Sequence, residues 1–246
     1  MDSLYEKLMN RMSEILTPAA SLINPQLKKP QTPKWTFHPF ITISREPGSG
    51  GDPIAKKLSE LTSFDYYNDK LVEKVARSTH LRARILKTID EKSRTGIQDF
   101  VHSLFNPDYV SDVKFVRQLA NVILSLSEKG NVIIVGHAGN FVTSPERGLH
   151  VRVCAPYPIR VERAIKFEKI SAKKAKDVIK KVDLDRKSFV SQYFSKDVSN
   201  ANYYDLVINS SYMAIDDAAN LVAKAFEHKF PGYLKYFRLL RKRKLV

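Results

Sequence analysis

Short apolar runs rich in β-branched residues alternate along the chain with longer segments in which apolar positions recur every three or four residues. The runs are ITIS, FDYY, NVIIVG, HVRVCA and YDLVINSS, all after residue 40. Such alternation is typical of parallel strands that are joined by helices covering both faces of a sheet. We therefore predict an α/β fold.

Two of the intervening segments have clear helical periodicity. Residues 110–129 and 171–193 each place most of their apolar side chains on one side, and the second segment is also rich in lysine. About 60 residues with little strand character separate FDYY from NVIIVG. In an α/β nucleotide enzyme such an insert closes over the second substrate, although simple helical packing gives the same pattern.

The first residues form a separate amphipathic pattern. Leu4, Leu8, Met12, Ile15 and Leu16 share one helical face, and the segment NPQLKKPQTPKWTFHP then ends the periodicity. We expect an N-terminal helix and linker over residues 1–38, a nucleotide-binding domain over 39–230 and a basic tail over 231–246. The apolar face of the helix fits its own domain, a partner protein or second subunit, or a membrane surface.

A glycine-rich turn joins the first predicted strand to a helix in FITISREPGSGGDPIAKKLSEL. Gly48, Gly50 and Gly51 let the backbone aim its N–H groups inward, and a helix that begins at Pro53 adds its positive end, as phosphate binding requires. The phosphate-loop pattern G-x-x-x-x-G-K-S/T is nevertheless altered. Arg45 replaces the first glycine and Gly51 replaces the lysine, and Asp52 and Pro53 follow where the pattern continues with a serine or threonine hydroxyl.

These changes remove the residues that usually meet the β- and γ-phosphates and hold magnesium. The nearby cations that can replace the lysine are Arg45, Lys56 and Lys57. The plainer interpretation is an ordinary turn in which Asp52 is the N-cap of the helix.

The charge balance favours acidic partners. Lys and Arg number 41 against 26 Asp and Glu, a formal net charge of +15. The excess is concentrated in residues 166–187 and in the tail KYFRLLRKRKLV, either of which is equally well a solvated face. The single cysteine, Cys154, excludes a disulfide framework, and no apolar run is long enough to span a membrane, so cytoplasm is the expected location.

Six blocks in order resemble one family: SREPGSGGDPIAKKL, FDYYNDKLV, VIIVGHAGNFV, HVRVCAPYPIRVERA, KKVDLDRKSFVSQYF and YYDLVINSS. The chain is similar to the cytidylate kinase-like family, a branch of the nucleoside monophosphate kinases with the phosphate-loop fold. The resemblance spans about residues 40–226. It implies a five-stranded parallel sheet, a phosphate loop after the first strand, an arginine-bearing lid, and ATP with Mg²⁺ as cofactors.

The resemblance assigns residues to that phosphate loop and also marks two departures. Its loop positions are held by Arg45, Gly48, Ser49, Gly50 and Gly51, and the missing lysine is a trait that the family shares. Asp52 stands where such proteins usually carry a basic residue, and a carboxylate there repels incoming phosphates. His137 stands where they usually carry an arginine, which removes a permanent positive charge.

The resemblance also implies contacts to the substrates. The expected contacts to the acceptor are Asp69, His137, Asn140, Asp183 and Lys187, and the expected catalytic arginines are Arg160, Arg163 and Arg186. Local alternatives exist for several of these residues. Asn68 or Asp69 suits a helix N-cap, Arg160 has Glu162 and Glu168 as surface partners, and Asp183 or Asp185 can orient the arginines.

The resulting prediction is transfer of the γ-phosphoryl group of ATP to a nucleoside monophosphate such as CMP or dCMP. The competing hypothesis, based on Asp52, Pro53 and His137, is an inactive nucleotide-sensing or interaction module with the same fold. Nucleic-acid binding through the tail is a weaker idea because no known nucleic-acid fold accompanies it. The sequence does not locate metal ligands.

Overall fold

The computed structural model describes residues 35–87, 97 and 113–243. The strands are β1 Phe40–Arg45, β2 Asp65–Tyr67, β3 Val132–Val135, β4 Gly148–Cys154 and β5 Leu206–Asn209. The helices are α1 Gly51–Thr62, α2 Asp69–Arg77, α3 Thr79–Leu86, α4 Val113–Lys129, α5 Gly139–Val142, α6 Tyr157–Glu168, α7 Ala172–Phe194, α8 Ile215–Lys229 and α9 Tyr233–Arg243, with a 3₁₀ helix at Ala201–Tyr203. The predicted N-terminal helix lies outside the described residues, as does most of the insert before α4.

All strand pairs are parallel, in the order β2-β3-β1-β4-β5. The central strand β1 places Ile41 beside Ile133 of β3 and Leu149 of β4. This arrangement confirms the predicted five-stranded parallel sheet. Because β3 and β4 flank β1, the loops after these strands meet at one edge of the sheet.

Both faces of the sheet are covered. On one face, Ile41 and Ile43 pack with Leu58 of α1 and Phe226 of α8 in a buried cluster. On the other face, Ile134 packs with α2 and α4 through residues such as Ile123. Strands buried on both faces explain the nearly continuous apolar runs in the sequence.

The structure corrects the start of α1. The helix begins at Gly51 rather than Pro53, and its N-cap is Gly50 in the left-handed conformation, without a side-chain cap. Asp52 lies inside the first turn and is therefore not the N-cap. Its carboxylate accepts hydrogen bonds from Arg45 Nε and the Tyr66 hydroxyl instead.

The predicted helix over 171–193 is observed one residue later, as α7. Ser171 caps it by accepting a hydrogen bond from the backbone N–H of Lys174 at 3.3 Å. Ala175, Ile179 and Val190 are buried, whereas the lysines lie on the exposed side. This helix covers the sheet edge where the loops meet.

The last described helix, α9, is anchored in the core by aromatic side chains. Tyr233 is fully buried, and its ring lies against those of Trp35, Phe64 and Phe237. Its hydroxyl donates a hydrogen bond to Asn131 Oδ1 at 2.7 Å. Among the described helices, none combines the length and apolar character needed to cross a bilayer.

Candidate active site

A cavity of about 410 Å³ opens at the carboxyl ends of β1, β3 and β4, beneath α7. It lies where ligands bind in doubly wound α/β proteins. Its charged lining comprises Arg45, Glu46, Asp69, His137, Arg152, Asp183, Asp185, Arg186, Lys187 and Asp197. Arginine side chains and carboxylate side chains thus face the same cavity.

The glycine loop runs beside this cavity and packs closely on α6. Gly48 and Gly50 are both left-handed, with φ of 76° and 82°. A Cβ on Gly48 would lie 2.7 Å from the carbonyl oxygen of Arg160. Ser49 is buried, and its hydroxyl donates to the carbonyl oxygen of Glu46 at 2.8 Å. The loop is therefore braced by its own backbone and by α6.

Arg45 bridges the loop and the cavity. Its Nε donates to Asp52 Oδ2 at 3.2 Å, and its Nη2 donates to Asp69 Oδ2. Burial opposes the charge of the guanidinium, but the carboxylates of Asp69 and Asp52 outweigh burial and raise the pKa of Arg45. Its aliphatic stem crosses Gly51, where a Cβ would lie 2.5 Å from Arg45 Cβ.

Asp69 attracts the cations of the site and does not cap α2. Asn68 is the cap, because its side chain accepts from the backbone N–H of Leu71 at 3.0 Å. Besides Arg45, Asp69 has Arg186 Nη2 at 3.8 Å and His137 Nε2 at 3.7 Å. Its Oδ1 is buried without a hydrogen-bond partner in the described part of the chain. Three basic side chains thus share a single carboxylate.

Arg186 reaches down from α7 into this group. Its Nη1 donates to the backbone carbonyl oxygen of Arg45 at 2.7 Å. Burial, reinforced by the positive charge of Arg45, lowers the pKa of Arg186 to about 10. Two mutually repelling guanidinium groups at a cavity wall would be stabilised by an anion between them.

The other two expected catalytic arginines make structural contacts. Arg160 donates from Nη1 to both carboxylate oxygens of Asp183, at 3.0 and 2.8 Å, and its Nε lies 3.6 Å from Glu46. The surface pairs with Glu162 and Glu168 are not formed, so that alternative is wrong, and Asp183 orients Arg160 as the sequence had suggested. This contact joins α6 to α7.

Arg163 fastens the glycine loop to the end of β5. It donates to Ser210 Oγ at 2.9 Å and to the carbonyl oxygens of Ser210 and Ser49, at 2.6 and 3.4 Å. Ser210 Oγ also donates to the carbonyl oxygen of Ser49 at 2.5 Å. Arg163 is not part of the cavity lining.

The remaining expected contacts line the cavity from two sides. His137 Nε2 donates to the carbonyl oxygen of Asp69 at 3.2 Å, and Asn140 Nδ2 donates to the carbonyl oxygen of Tyr203 at 3.5 Å. Gly136, His137 and Ala138 are three successive residues with positive φ. Lys187 is exposed on α7 at the rim.

The structure adds Arg152 to the site, which the sequence analysis missed. This β4 side chain is 7% exposed, lines the cavity and donates to Ser44 Oγ and Glu46 Oε1, both at 3.3 Å. The ring of Tyr204 lies 5.8 Å from its guanidinium carbon. The available signal was an arginine inside the apolar run HVRVCA, since a charge in a buried strand needs a partner.

The other cations near the loop are directed elsewhere. Lys57 pairs with Asp216 at 3.0 Å and with Glu60 at 3.5 Å, and Lys56 is exposed. Of the three cations suggested by the sequence, Arg45 alone lines the cavity. Within the described ranges, no cluster of three or more histidine, cysteine or carboxylate side chains is arranged to hold a metal ion.

Comparison with known proteins places the chain in a family. The chain is 26% identical over 189 residues to a cytidylate kinase of Staphylothermus marinus, covering 76% of this chain and 96% of the relative. It is 27% identical over 190 residues to a cytidylate kinase of Sulfolobus acidocaldarius, covering 77% and 94%. A solved structure of an uncharacterized protein from Eubacterium ventriosum shares the fold, with a TM-score of 0.57 and 22% identity, over 76% of this chain and 97% of that one.

The family model described as the cytidylate kinase-like family matches residues 40–212, which include the glycine loop, all three cavity-lining arginines and the end of β5. The match covers well over half of the chain, and the chain belongs to the cytidylate kinase-like family.

Proposed function

We propose that this protein transfers the γ-phosphoryl group of ATP to a nucleoside monophosphate, with CMP or dCMP as the first candidates. The observation that carries the proposal is the convergence of Arg45, Arg152 and Arg186 on one cavity beside a glycine loop. Such a cavity suits an acceptor that carries phosphate, because arginine offers paired donors and keeps its charge near neutral pH. The relatives named cytidylate kinase direct the choice of acceptor.

In this proposal the loop holds the donor and the cavity holds the acceptor. Backbone N–H groups at the start of α1 face the phosphates of ATP. Arg45 and Arg186 neutralise the charge of the transferred γ-phosphoryl group. An oxygen of the acceptor phosphate attacks the γ-phosphorus in line, and ADP leaves. Positioning and charge neutralisation supply most of the acceleration in phosphoryl transfer.

Arg160 and Arg163 have supporting roles in this scheme. Arg160 holds α7 against α6 through Asp183, and Arg163 holds the loop against β5 through Ser210. Asp69 sets the directions of Arg45 and Arg186, while Asn140, His137 and Lys187 contact the acceptor. Each of these groups fixes geometry around the cavity.

The residues at the site are compatible with a magnesium ion whose ligands come mainly from the nucleotide phosphates and water. The hydroxyl that usually holds the ion is absent, and the Ser49 hydroxyl is already bonded to the Glu46 carbonyl oxygen. Mg²⁺ commonly keeps several waters and binds through substrate phosphates, so few protein ligands are required. When bound, the ion supplies charge neutralisation at the phosphates.

The test is calorimetry of ATP with Mg²⁺, alone and with each of CMP, dCMP, UMP, AMP and GMP. A product assay follows for every pair that binds. A nucleoside diphosphate from one acceptor would support the proposal and identify the acceptor. ATP binding without product from any acceptor would contradict it and would favour a nucleotide-sensing module.

A further inference from the structure

The two unusual positions of the glycine loop contact each other. Arg45 stands at the first-glycine position, and its stem lies across Gly51, which stands at the lysine position. A Cβ on Gly51 would lie 2.5 Å from Arg45 Cβ and 2.8 Å from its Cγ. A side chain at position 51 and the observed path of Arg45 therefore exclude each other.

The guanidinium head of Arg45 is also held in place. Its Nε is bonded to Asp52 and its Nη2 to Asp69, and the Tyr66 hydroxyl donates to the other oxygen of Asp52 at 3.4 Å. A Cβ on Gly136 would collide with Arg45 Nη1, so the absent side chain at position 136 makes room for the head. Across the described residues, Nη1 has no protein acceptor, and Arg45 lines the cavity.

We infer that Arg45 and Gly51 together replace the usual pair of a glycine at position 45 and a lysine at position 51, a coupled exchange. The side chain of Arg45 passes over Gly51 and supplies the phosphate-binding cation that a lysine at position 51 would supply. Asp52 and Asp69 are positioning residues that aim the free nitrogen at the nucleotide phosphates. The side chain of Asp52 is 49% exposed, so its ion pair with Arg45 adds little stability, and its effect is to orient the guanidinium. This inference rests on the proposed function and reverses the role expected for Asp52 as a repulsive group.

The exchange is tested by moving the positive charge from position 45 to position 51. Arg45→Gly removes it, and the double variant Arg45→Gly/Gly51→Lys supplies it from the usual position. Arg45→Gly/Gly51→Met is the matched control, because it fills similar space without charge. We expect Arg45→Gly and the methionine variant to lose at least about tenfold in kcat, and the lysine variant to recover most of that loss.

Affinity separates this inference from the proposed function. Calorimetry with MgATP and with inorganic tripolyphosphate is run on the same variants, whatever their turnover. Tighter binding by the lysine variant than by the methionine variant supports the exchange even if no acceptor is phosphorylated. Equal values of both kcat and affinity for the two double variants would overturn it.

The positioning role of Asp52 has its own measurement. We expect Asp52→Asn to lower kcat about tenfold in the parent chain and to leave kcat unchanged in the Arg45→Gly/Gly51→Lys chain, where there is no arginine to hold. Glu60→Gln, a similar loss of charge at an exposed position on α1, should have no effect in either chain. A rise in kcat on Asp52→Asn would mean that the carboxylate obstructs phosphate, and the positioning role would be wrong.

Discussion

Single side chains in this site derive their roles from partners that are distant in sequence. Arg186 illustrates this, because it meets Arg45 and Asp69 only when α7 lies over the loop. Its pKa is lowered by burial and by the charge of Arg45, which means that the free protein holds this cation at some cost. A residue held at a cost beside a cavity is a good candidate for ligand binding.

Replacing Arg186 should therefore damage turnover far more than folding. Under the proposed phosphoryl transfer, we expect Arg186→Ala to lower kcat by about 100-fold or more, because the transferred phosphoryl group loses a hydrogen-bond donor. The free energy of unfolding in urea should change by less than about 1 kcal/mol, since the one backbone hydrogen bond of Arg186 and its attraction to Asp69 are offset by burial of the charge and by repulsion from Arg45. Lys181→Ala on the exposed side of α7 is the control, and unchanged turnover in Arg186→Ala would remove this residue from the mechanism.

A second residue-scale prediction concerns His150 in β4. Burial lowers its pKa to about 4, and its Nδ1 lies 2.7 Å from Thr42 Oγ1. A depressed folded pKa means that stability is present above the unfolded value of about 6.5 and is lost as pH falls toward 4. Lowering the pH from 7.5 to 5 should therefore reduce the free energy of unfolding by about 2 kcal/mol, because His150 is protonated in the unfolded chain but not in the folded protein.

Urea unfolding of the parent chain and of His150→Gln at both pH values measures that contribution. The variant should lose about 2 kcal/mol less than the parent on acidification, because its side chain does not titrate. Equal losses in the two proteins would show that His150 is not responsible.

At the scale of elements, sequence periodicity was sufficient for the strands and for α7, because alternation and helical spacing are local. The start of α1 was missed because aspartate is a common N-cap residue. In the structure the carboxylate of Asp52 instead accepts hydrogen bonds from Arg45 and Tyr66. The Asp183 partner of Arg160 had been suggested from the lid pattern, but Glu46 as a second neighbour depends on how α6 meets the loop. Spacing along the chain carries no such information.

The contact between α6 and the loop gives a prediction at this scale. Gly48 and Gly232 have nearly equal positive φ, but a Cβ at 48 meets backbone atoms of Arg160, whereas nothing lies within 4 Å of a Cβ at 232. Gly232→Ala should cost about 1 kcal/mol for the left-handed conformation alone. Gly48→Ala should cost at least about 2 kcal/mol more, because backbone has to shift.

Urea unfolding of the two alanine variants provides the comparison, and ATP calorimetry should show weaker binding for Gly48→Ala alone. Similar losses of stability at the two positions would mean that the loop and α6 are not in tight contact.

For the molecule as a whole, the basic C-terminal segment also completes the core. Tyr233 is fully buried and hydrogen bonded to Asn131, and His38 Nδ1 lies 2.8 Å from its hydroxyl. Removing the residues after 231 would expose Phe64 and Phe226, which pack against this ring. The exposed lysines of α9 are thus better studied by substitution than by truncation.

The packing of α9 predicts a graded series. Tyr233→Phe should cost about 1–2 kcal/mol, because Asn131 and His38 lose a shared partner. Tyr233→Ala should cost about 3–5 kcal/mol, since a large buried ring is also lost. Lys235→Ala, at an exposed position on the same helix, should stay within about 0.5 kcal/mol of the parent in urea unfolding. A chain ending at residue 231 that unfolds like the parent would refute this account.

The turn of Gly136, His137 and Ala138 has a consequence for engineering. His137 and Ala138 are adjacent non-glycine residues in the left-handed region, each with an energy cost of about 1 kcal/mol or more. Selection for thermal stability would thus favour Ala138→Gly, because glycine adopts the left-handed conformation without that energy cost. The same change would loosen a wall of the cavity, so the more stable variant is expected to bind the proposed acceptor less tightly.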